Sequence, residues 1–365
     1  MIAVLAAVLA DDLTGALEVG ALAAAGGLPV RVHLDVAGPF AAGDVSVVDT
    51  ETRIRSDDGA FRFAAALDSC LPAVPWIYKK VDSTLRGPIF AELDALGRAL
   101  PHLPIVYVPA YPALGRTVVG GELRVHGVPV ARTAFANDVH QPIRSSSVVG
   151  LFELFEGVAP ARSVRSCTPA TIAAALADAV RDGRRGLVFV CDAETEHDLD
   201  EIAAALRAAS APALVAGSGG FASRWLAAVP GERRVPRPLP SVRSALLVCG
   251  SRHPASLAQA DAAAAFGVPC LRPTIDERAG PAAVAEDLGR RAADAIGEHR
   301  PDLVVVFGGD TAFAVLRGLG CDTLEPLGEV LPGVPVSRFG ELVVVTKAGG
   351  FGEVDVVAKV TERLS

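Results

Sequence analysis

Short runs of β-branched and aliphatic residues alternate along the chain with Ala-rich stretches whose apolar positions recur at helical spacing. That alternation is the signature of βαβ units built on a mostly parallel sheet. It predicts strands at Ile2–Leu9, Val30–Leu34, Val45–Val48, Trp76–Lys79, Ile105–Val108, Leu187–Val190 and Ala213–Ala216, with helices between most of them. From Gly120 to Ala131 the pattern changes to short runs broken by Gly and Pro, which predicts an inserted hairpin.

Val229 to Val242 carries four prolines and three arginines with no apolar period, so an interdomain linker is expected at 231–243. It would separate a domain over 1–230 from one over 244–365. Beyond it the alternation resumes, with strands at Ala245–Cys249, Val268–Leu271, Leu303–Phe307 and Leu342–Thr346. Helices are expected at Pro254–Phe266, Pro281–Ile296 and Thr311–Leu319. The expected fold is α/β: two domains, each a mostly parallel sheet flanked by helices, with the active site in the cleft between them.

Composition narrows the partners. The 365 residues suit about two domains, and the net charge of −8 provides no positive field for a nucleic-acid backbone. The longest uncharged apolar run, Ile2 to Ala10, is far short of the ~20 residues that a spanning helix needs. It also lacks a basic flank, so neither a membrane span nor a signal peptide is expected, and a cytoplasmic location is. The six cysteines are never closer than 21 positions apart, which leaves no CxxC pair for zinc or redox chemistry. Homo-oligomerisation is left open.

In an open parallel sheet, ligands bind beyond the carboxyl ends of the strands. The first strand ends in Asp11-Asp12-Leu13-Thr14-Gly15. Capping of the next helix explains one polar residue there but not two acids and a threonine, so Asp11, Asp12 and Thr14 are candidates for orienting hydroxyl groups or a metal. The fourth strand runs into Lys79-Lys80-Val81-Asp82-Ser83-Thr84-Leu85-Arg86-Gly87. Only 4 of the chain's 34 basic residues are lysines, so the compact ammonium at Lys79 reads as selected for its reach. Lys79, Asp82, Ser83 and Arg86 offer a cation, acceptors and a bidentate fork within one turn. The fifth strand leads into a loop stiffened by Pro109, Pro112 and Gly115, where Arg116 is the one charge. Together these loops suit a small polyhydroxylated anion.

In the second half the strand ends are glycine-rich: Gly250-Ser251, Gly308-Gly309-Asp310-Thr311, and Lys347-Ala348-Gly349-Gly350. Glycines let the backbone approach a phosphate, and the helix beginning near Thr311 favours negative charge. Three such turns on one edge point to a nucleotide-phosphate site. Neither a GxxxxGK[ST] loop nor a helix-opening GxGxxG is present, so a P-loop or Rossmann site is not expected. Gly217-Ser218-Gly219-Gly220 reads equally as a cleft-facing loop or an ordinary turn. For His253, a helix-start role is favoured over catalysis.

These residues resemble the four-carbon acid sugar kinases. The matching motifs are ADDLTGA at 10–16, KKVDSTLRG at 79–87, PAYPALGRT at 109–117, DAETEHDL at 192–199, GSGGFA at 217–222, GGDTA at 308–312, PGVP at 332–335 and KAGGFGE at 347–353. The resemblance implies phosphorylation of threonate, erythronate or oxo-tetronate by ATP, with an N-terminal sugar-acid-binding domain and a C-terminal nucleotide-binding domain. It also implies that Asp12, Lys79, Asp82, Arg86 and Arg116 contact the sugar acid. Ser251, the turn from Gly308 to Thr311 and the loop from Lys347 to Gly350 would hold ATP. Ala348 stands where the family usually has Ser.

The expectation is therefore an ATP- and Mg²⁺-dependent kinase acting on the terminal hydroxyl of a C4 sugar acid. Asp12 is the first candidate for activating that hydroxyl and Asp82 the second, with Arg86 or Arg116 clamping the carboxylate. The metal ligands are not legible. The alternative is a catalytically inactive regulatory protein of the same fold that binds the sugar acid, and a third reading is a carbohydrate-acid lyase or dehydrogenase that uses the first domain alone and has no nucleotide affinity.

Overall fold

A computed structural model describes residues 5–34, 43–53, 59–70, 76–138, 141–153, 163–182, 186–209, 213–274, 280–350 and 352–365. The expected strand positions 2–4, and Phe351 of the glycine loop, lie outside them. In chain order the elements begin with β1 (Ala6–Ala10), α1 (Leu13–Ala25), β2 (Val30–His33), β3 (Val45–Asp49), α2 (Gly59–Cys70), β4 (Ile77–Lys80), α3 (Ile89–Ala99) and β5 (Ile105–Val108). Next come β6 (Arg116–Val119), β7 (Glu122–Val125), β8 (Val128–Pro129), α4 (Val148–Glu153), β9 (Ser163–Cys167), α5 (Pro169–Arg181), β10 (Leu187–Cys191), α6 (Glu196–Ala208), β11 (Leu214–Gly217) and α7 (Gly219–Ala228). The remainder is β12 (Ala245–Cys249), α8 (Pro254–Ala265), β13 (Cys270–Leu271), α9 (Pro281–His299), β14 (Leu303–Phe307), α10 (Gly309–Gly318), β15 (Thr323–Leu331), β16 (Val334–Phe339), β17 (Leu342–Lys347) and α11 (Val356–Arg363).

The chain divides into two compact units. One holds Met1–Asp11 with Thr50–Gly231, the other Asp12–Asp49 with Glu232–Ser365. This differs from a division at a single point in the sequence, because residues 12–49 pack with the C-terminal part.

In the first unit the strand order is β1-β4-β11-β5-β10-β9, and every pairing is parallel. β1, β4, β5, β10 and β11 are buried along their whole length, and all but β4, which ends in Lys79-Lys80, read as unbroken apolar runs for that reason. On one face Tyr78 stacks against Trp225 at 5.2 Å, and its hydroxyl donates to the Ser218 carbonyl at 2.7 Å. The expected hairpin is present and extends to a third strand, β6-β7-β8, antiparallel throughout.

The second unit has the order β13-β12-β14-β17-β16-β15-β2-β3. β13, β12, β14 and β17 are mutually parallel, as are β2 and β3, but β15 and β16 form an antiparallel hairpin between them. One face of this sheet buries Cys249, Phe307, Val336 and Val345 with Val357 and Val360 of α11.

The segment expected to be a linker runs along this unit rather than standing free. The Arg234 amide donates to the Gly27 carbonyl at 2.7 Å, and the Val242 amide to the Leu364 carbonyl at 2.5 Å. Gly27 has φ +74°, and a Cβ there would fall 2.3 Å from the Arg234 carbonyl oxygen. Gly27→Ala is therefore expected to cost at least about 1–3 kcal/mol from backbone strain and displacement of this segment. A lowered urea midpoint with an unchanged m-value would register that loss, and an unshifted midpoint would refute it.

Candidate functional site

In the first unit the strand ends build a buried network of charge. Ala10 and Lys80 are register partners, so the residues that follow them, Asp11 and Val81-Asp82, emerge side by side. Asp11 is fully buried and accepts two bonds from Arg53, Nε to Oδ2 at 2.8 Å and Nη2 to Oδ1 at 3.0 Å. Asp82 is gripped the same way by Arg86, at 3.1 and 2.8 Å, and takes the Thr84 amide at 2.9 Å as well as the Thr84 hydroxyl. Arg53 Nη1 also lies 3.8 Å from Asp82 Oδ1, which joins the two pairs. Arg86 Nη1 continues to Asp138 at 3.2 Å, and its guanidinium lies over the Phe135 ring. Ser83 sits half-buried in the same turn.

Burial pushes the Asp11 carboxyl up, but Arg53, Lys79 and Lys80 outweigh it and leave its pKa below the ordinary value. At Asp82 burial is again opposed, by Arg86, Arg53 and Thr84, and the carboxyl is held well below the usual range. Neither acid is a good proton acceptor near neutral pH. Gly87 closes the turn at φ +99°, where a Cβ would come within 3.0 Å of Asp11 Oδ2. Its amide donates to Gln141 Oε1, and Gln141 Nε2 donates to the Arg53 carbonyl at 3.1 Å.

Lys79, expected to reach a ligand, is fully buried and pairs with Glu92 of α3 at 2.9 Å. Its ammonium lies 5.3 Å from the Phe63 ring centroid. Glu92 also accepts from Thr52 at 2.5 Å, and burial raises its pKa despite Lys79. Both members of this pair act electrostatically on Asp11.

Arg116 opens β6, where its backbone pairs with Tyr111. Motifs that composition left without a role explain how this loop is held. Glu196 of DAETEHDL accepts the Ala113 amide at 2.7 Å, and Asp192 accepts the Gly120 and Gly121 amides at 2.8 and 2.9 Å. Thr195 and Asp198 form a capping box at the start of α6. Gly217 and Gly220 are packing glycines: a Cβ would meet the Val108 carbonyl at 2.5 Å or the Tyr111 ring at 2.7 Å.

In the second unit Cys249, Phe307 and Lys347 are register partners at the ends of parallel strands. The three glycine turns that follow are thereby brought together. A Cβ on Gly250 would stand 1.9 Å from Thr311 Oγ1, and one on Gly349 would stand 2.7 Å from Ser251 Oγ. Gly308, at φ +104°, is the N-cap of α10 and offers no side-chain acceptor to the first N–H groups of that helix. Asp310 lies in that first turn. His253 caps α8 by accepting the Ala255 amide at 3.2 Å, a helix-start role.

Asp12 and Thr14 fall in this unit. Asp12 is half-buried and caps α1, Oδ1 accepting the Gly15 amide at 2.8 Å. Thr14 Oγ1 lies 2.8 Å from the position of a Cβ on Gly309, so the starts of α1 and α10 face each other. Lys347 is buried at the end of β17, over the Phe307 ring at 4.4 Å. Burial lowers its pKa to about 8, which leaves it largely charged at neutral pH.

Among the described residues no group of three His, Cys, Asp or Glu converges to hold a metal ion, and no helix is long and apolar enough to cross a membrane. Residues 6–225 match the family model of a sugar-binding N-terminal domain, and residues 243–357 that of a nucleotide-binding C-terminal domain. The D-threonate kinase of Bordetella bronchiseptica is 31% identical over 408 residues, covering 98% of this chain and 96% of that protein. The D-erythronate kinase of Heliobacterium modesticaldum is 35% identical over 207 residues, covering 54% of this chain and 46% of its own. A solved Salmonella typhimurium structure described as a putative tRNA synthase superposes with a TM-score of 0.79 at 22% identity, covering 100% of both chains, and shows the fold alone.

Proposed function

Because the chain belongs to the four-carbon acid sugar kinase family and is a phosphotransferase acting on an alcohol group, we propose that it transfers the γ-phosphoryl group of ATP to the terminal hydroxyl of D-threonate. The observation that carries the kinase reading is the registered convergence of three glycine turns on the uncapped start of α10. The choice of D-threonate rests on 31% identity to a D-threonate kinase along nearly the whole of both chains, against half of each chain for the D-erythronate kinase and 27% identity for a 3-oxo-tetronate kinase matched over nearly its full length.

A C4 sugar acid carries one carboxylate and several hydroxyls, so its pocket needs both cationic donors and anionic acceptors. Arg53 and Arg86 supply the first, and Asp11, Asp82 and Asp138 the second, each already oriented by its partner. Asp12 is the candidate for accepting the proton of the hydroxyl under attack. Asp310, in the first turn of α10, is the carboxylate placed to take a Mg²⁺ that arrives on the nucleotide, an ion usually held through one or two protein carboxylates. Bound there, the ion would neutralise charge on the β- and γ-phosphate oxygens. Ala348 removes a side-chain hydroxyl but leaves the backbone of its loop intact.

The test is coupled ADP release with D-threonate, L-threonate, D-erythronate and 3-oxo-tetronate as acceptors. D-Threonate is expected to give the highest kcat/KM. Preference for another C4 acid would overturn the acceptor assignment alone. No ADP release with any acceptor, despite measurable sugar-acid binding, would favour the regulatory protein instead.

A further inference from the structure

An ammonium beside a glycine loop is commonly read as a phosphate ligand, and Lys347 occupies such a position. Its surroundings argue for another role. The side chain is buried beneath the loop, with Nζ donating to the Ala348 carbonyl at 2.8 Å and to the Gly349 carbonyl at 3.1 Å. The Gly349 carbonyl also accepts the Ser256 hydroxyl of α8, and the Gly352 and Glu353 carbonyls accept Gln259 Nε2 at 2.8 and 3.0 Å. The loop is thus fastened from below through its carbonyl groups.

In a trans peptide the C=O and the following N–H point in opposite directions, and no cis bond is present among the described residues. Turning the carbonyls of Ala348 and Gly349 toward the ammonium therefore turns the amides of Gly349 and Gly350 away from it. Those two residues face the Ser251 and His253 side chains, at 2.7 and 3.0 Å from their would-be Cβ positions. Successive outward amides form a concave anion site.

We propose that Lys347 is a positioning residue that turns the Gly349 and Gly350 amides outward as a phosphate-binding nest, and that it does not itself touch the nucleotide. The inference rests on the kinase reading, since it assigns how that reading's nucleotide loop is shaped. Arg cannot replace Lys in this role, because a planar fork does not reproduce one compact ammonium under two carbonyls.

Titration calorimetry with ATP, ADP and adenosine on the full chain, for the wild type, Lys347→Arg and Lys347→Met, tests it. Both variants are expected to weaken ATP and ADP by the same factor, about 10-fold or more, as fits the loss of hydrogen bonds to a charged group. Adenosine affinity and the KM for sugar acid should hold, showing that the unit is folded. Retention of ATP affinity by Lys347→Arg, or a loss confined to ATP with ADP unchanged, would overturn the proposal by making the charge a direct phosphate ligand. Should Lys347→Met not fold, the Arg variant decides alone. Failure of the wild type to bind either nucleotide would instead sink the kinase reading.

Discussion

Replacing Asp12 by Asn is expected to lower kcat at least about 100-fold at saturating substrates, the lower range for loss of a general base, while ATP affinity stays unchanged. Two of the other candidate acids are engaged by cations, Asp11 by Arg53 and Asp82 by Arg86. Asp11 and Asp82 are held below the ordinary carboxylate range, which weakens them as proton acceptors. Asp12 is half-buried, and its Oδ1 caps α1 by accepting the Gly15 amide. Asn caps a helix about as well as Asp, so Asp12→Asn preserves the α1 cap while removing the basic carboxylate. Steady-state ADP release with nucleotide binding measured in parallel reads the two effects separately. Turnover within about threefold of wild type, far less than general-base catalysis contributes, would exclude Asp12 from proton transfer.

The strands that were legible are those buried on both faces, such as β5 (IVYV) and β14 (LVVVF), whose apolar runs need no context. β9 (SVRSC) was not, because it lies at the end of its sheet and carries polar residues. β15 and β16 were missed for another reason. Pro326, Gly328, Pro332 and Pro335 punctuate them as a loop would, yet the turn between them is what closes an antiparallel hairpin. The placement of α1, β2 and β3 with the C-terminal part rests on α1 packing against β15 and on β2 pairing with it, the latter a contact between segments about 290 positions apart. No local pattern encodes it.

At the site, the acids and glycines were visible because they break apolar runs at strand ends, where a ligand is expected. Arg53 gave no such signal: it is one of many arginines and follows β3 in a short polar stretch. Its importance lies in a bidentate grip on Asp11, 42 positions away. Glu92 was hidden within the ordinary amphipathic pattern of α3, and only burial against Lys79 sets it apart. Lysine scarcity singles out Lys79, but frequency cannot distinguish a cation that meets a ligand from one that pairs with a buried acid, as Lys79 does with Glu92.

Asp82→Asn tests whether the grip of Arg86 on Asp82 is electrostatic. Asp82 is buried and receives Arg86 through both oxygens, so neutralising it removes the bidentate counter-charge of Arg86 and leaves that guanidinium with Asp138 as its one carboxylate among the described residues. Breaking a buried pair in this way costs about 3–5 kcal/mol. The loss has a defined pH dependence. The folded-state pKa of Asp82 lies well below its unfolded value, so its contribution is complete above the unfolded pKa of about 4 and disappears as pH falls through the folded value. The gap in stability between wild type and Asp82→Asn should therefore be widest from neutral pH down to about 4 and narrow below it. Trp76 and Trp225, the chain's two tryptophans, both lie in the same unit as Asp82, so their fluorescence during urea unfolding reports that unit. Two stability curves that stay parallel into the acid range would mean that Asp82 acts through hydrogen-bond geometry, which Asn partly keeps, rather than through its charge.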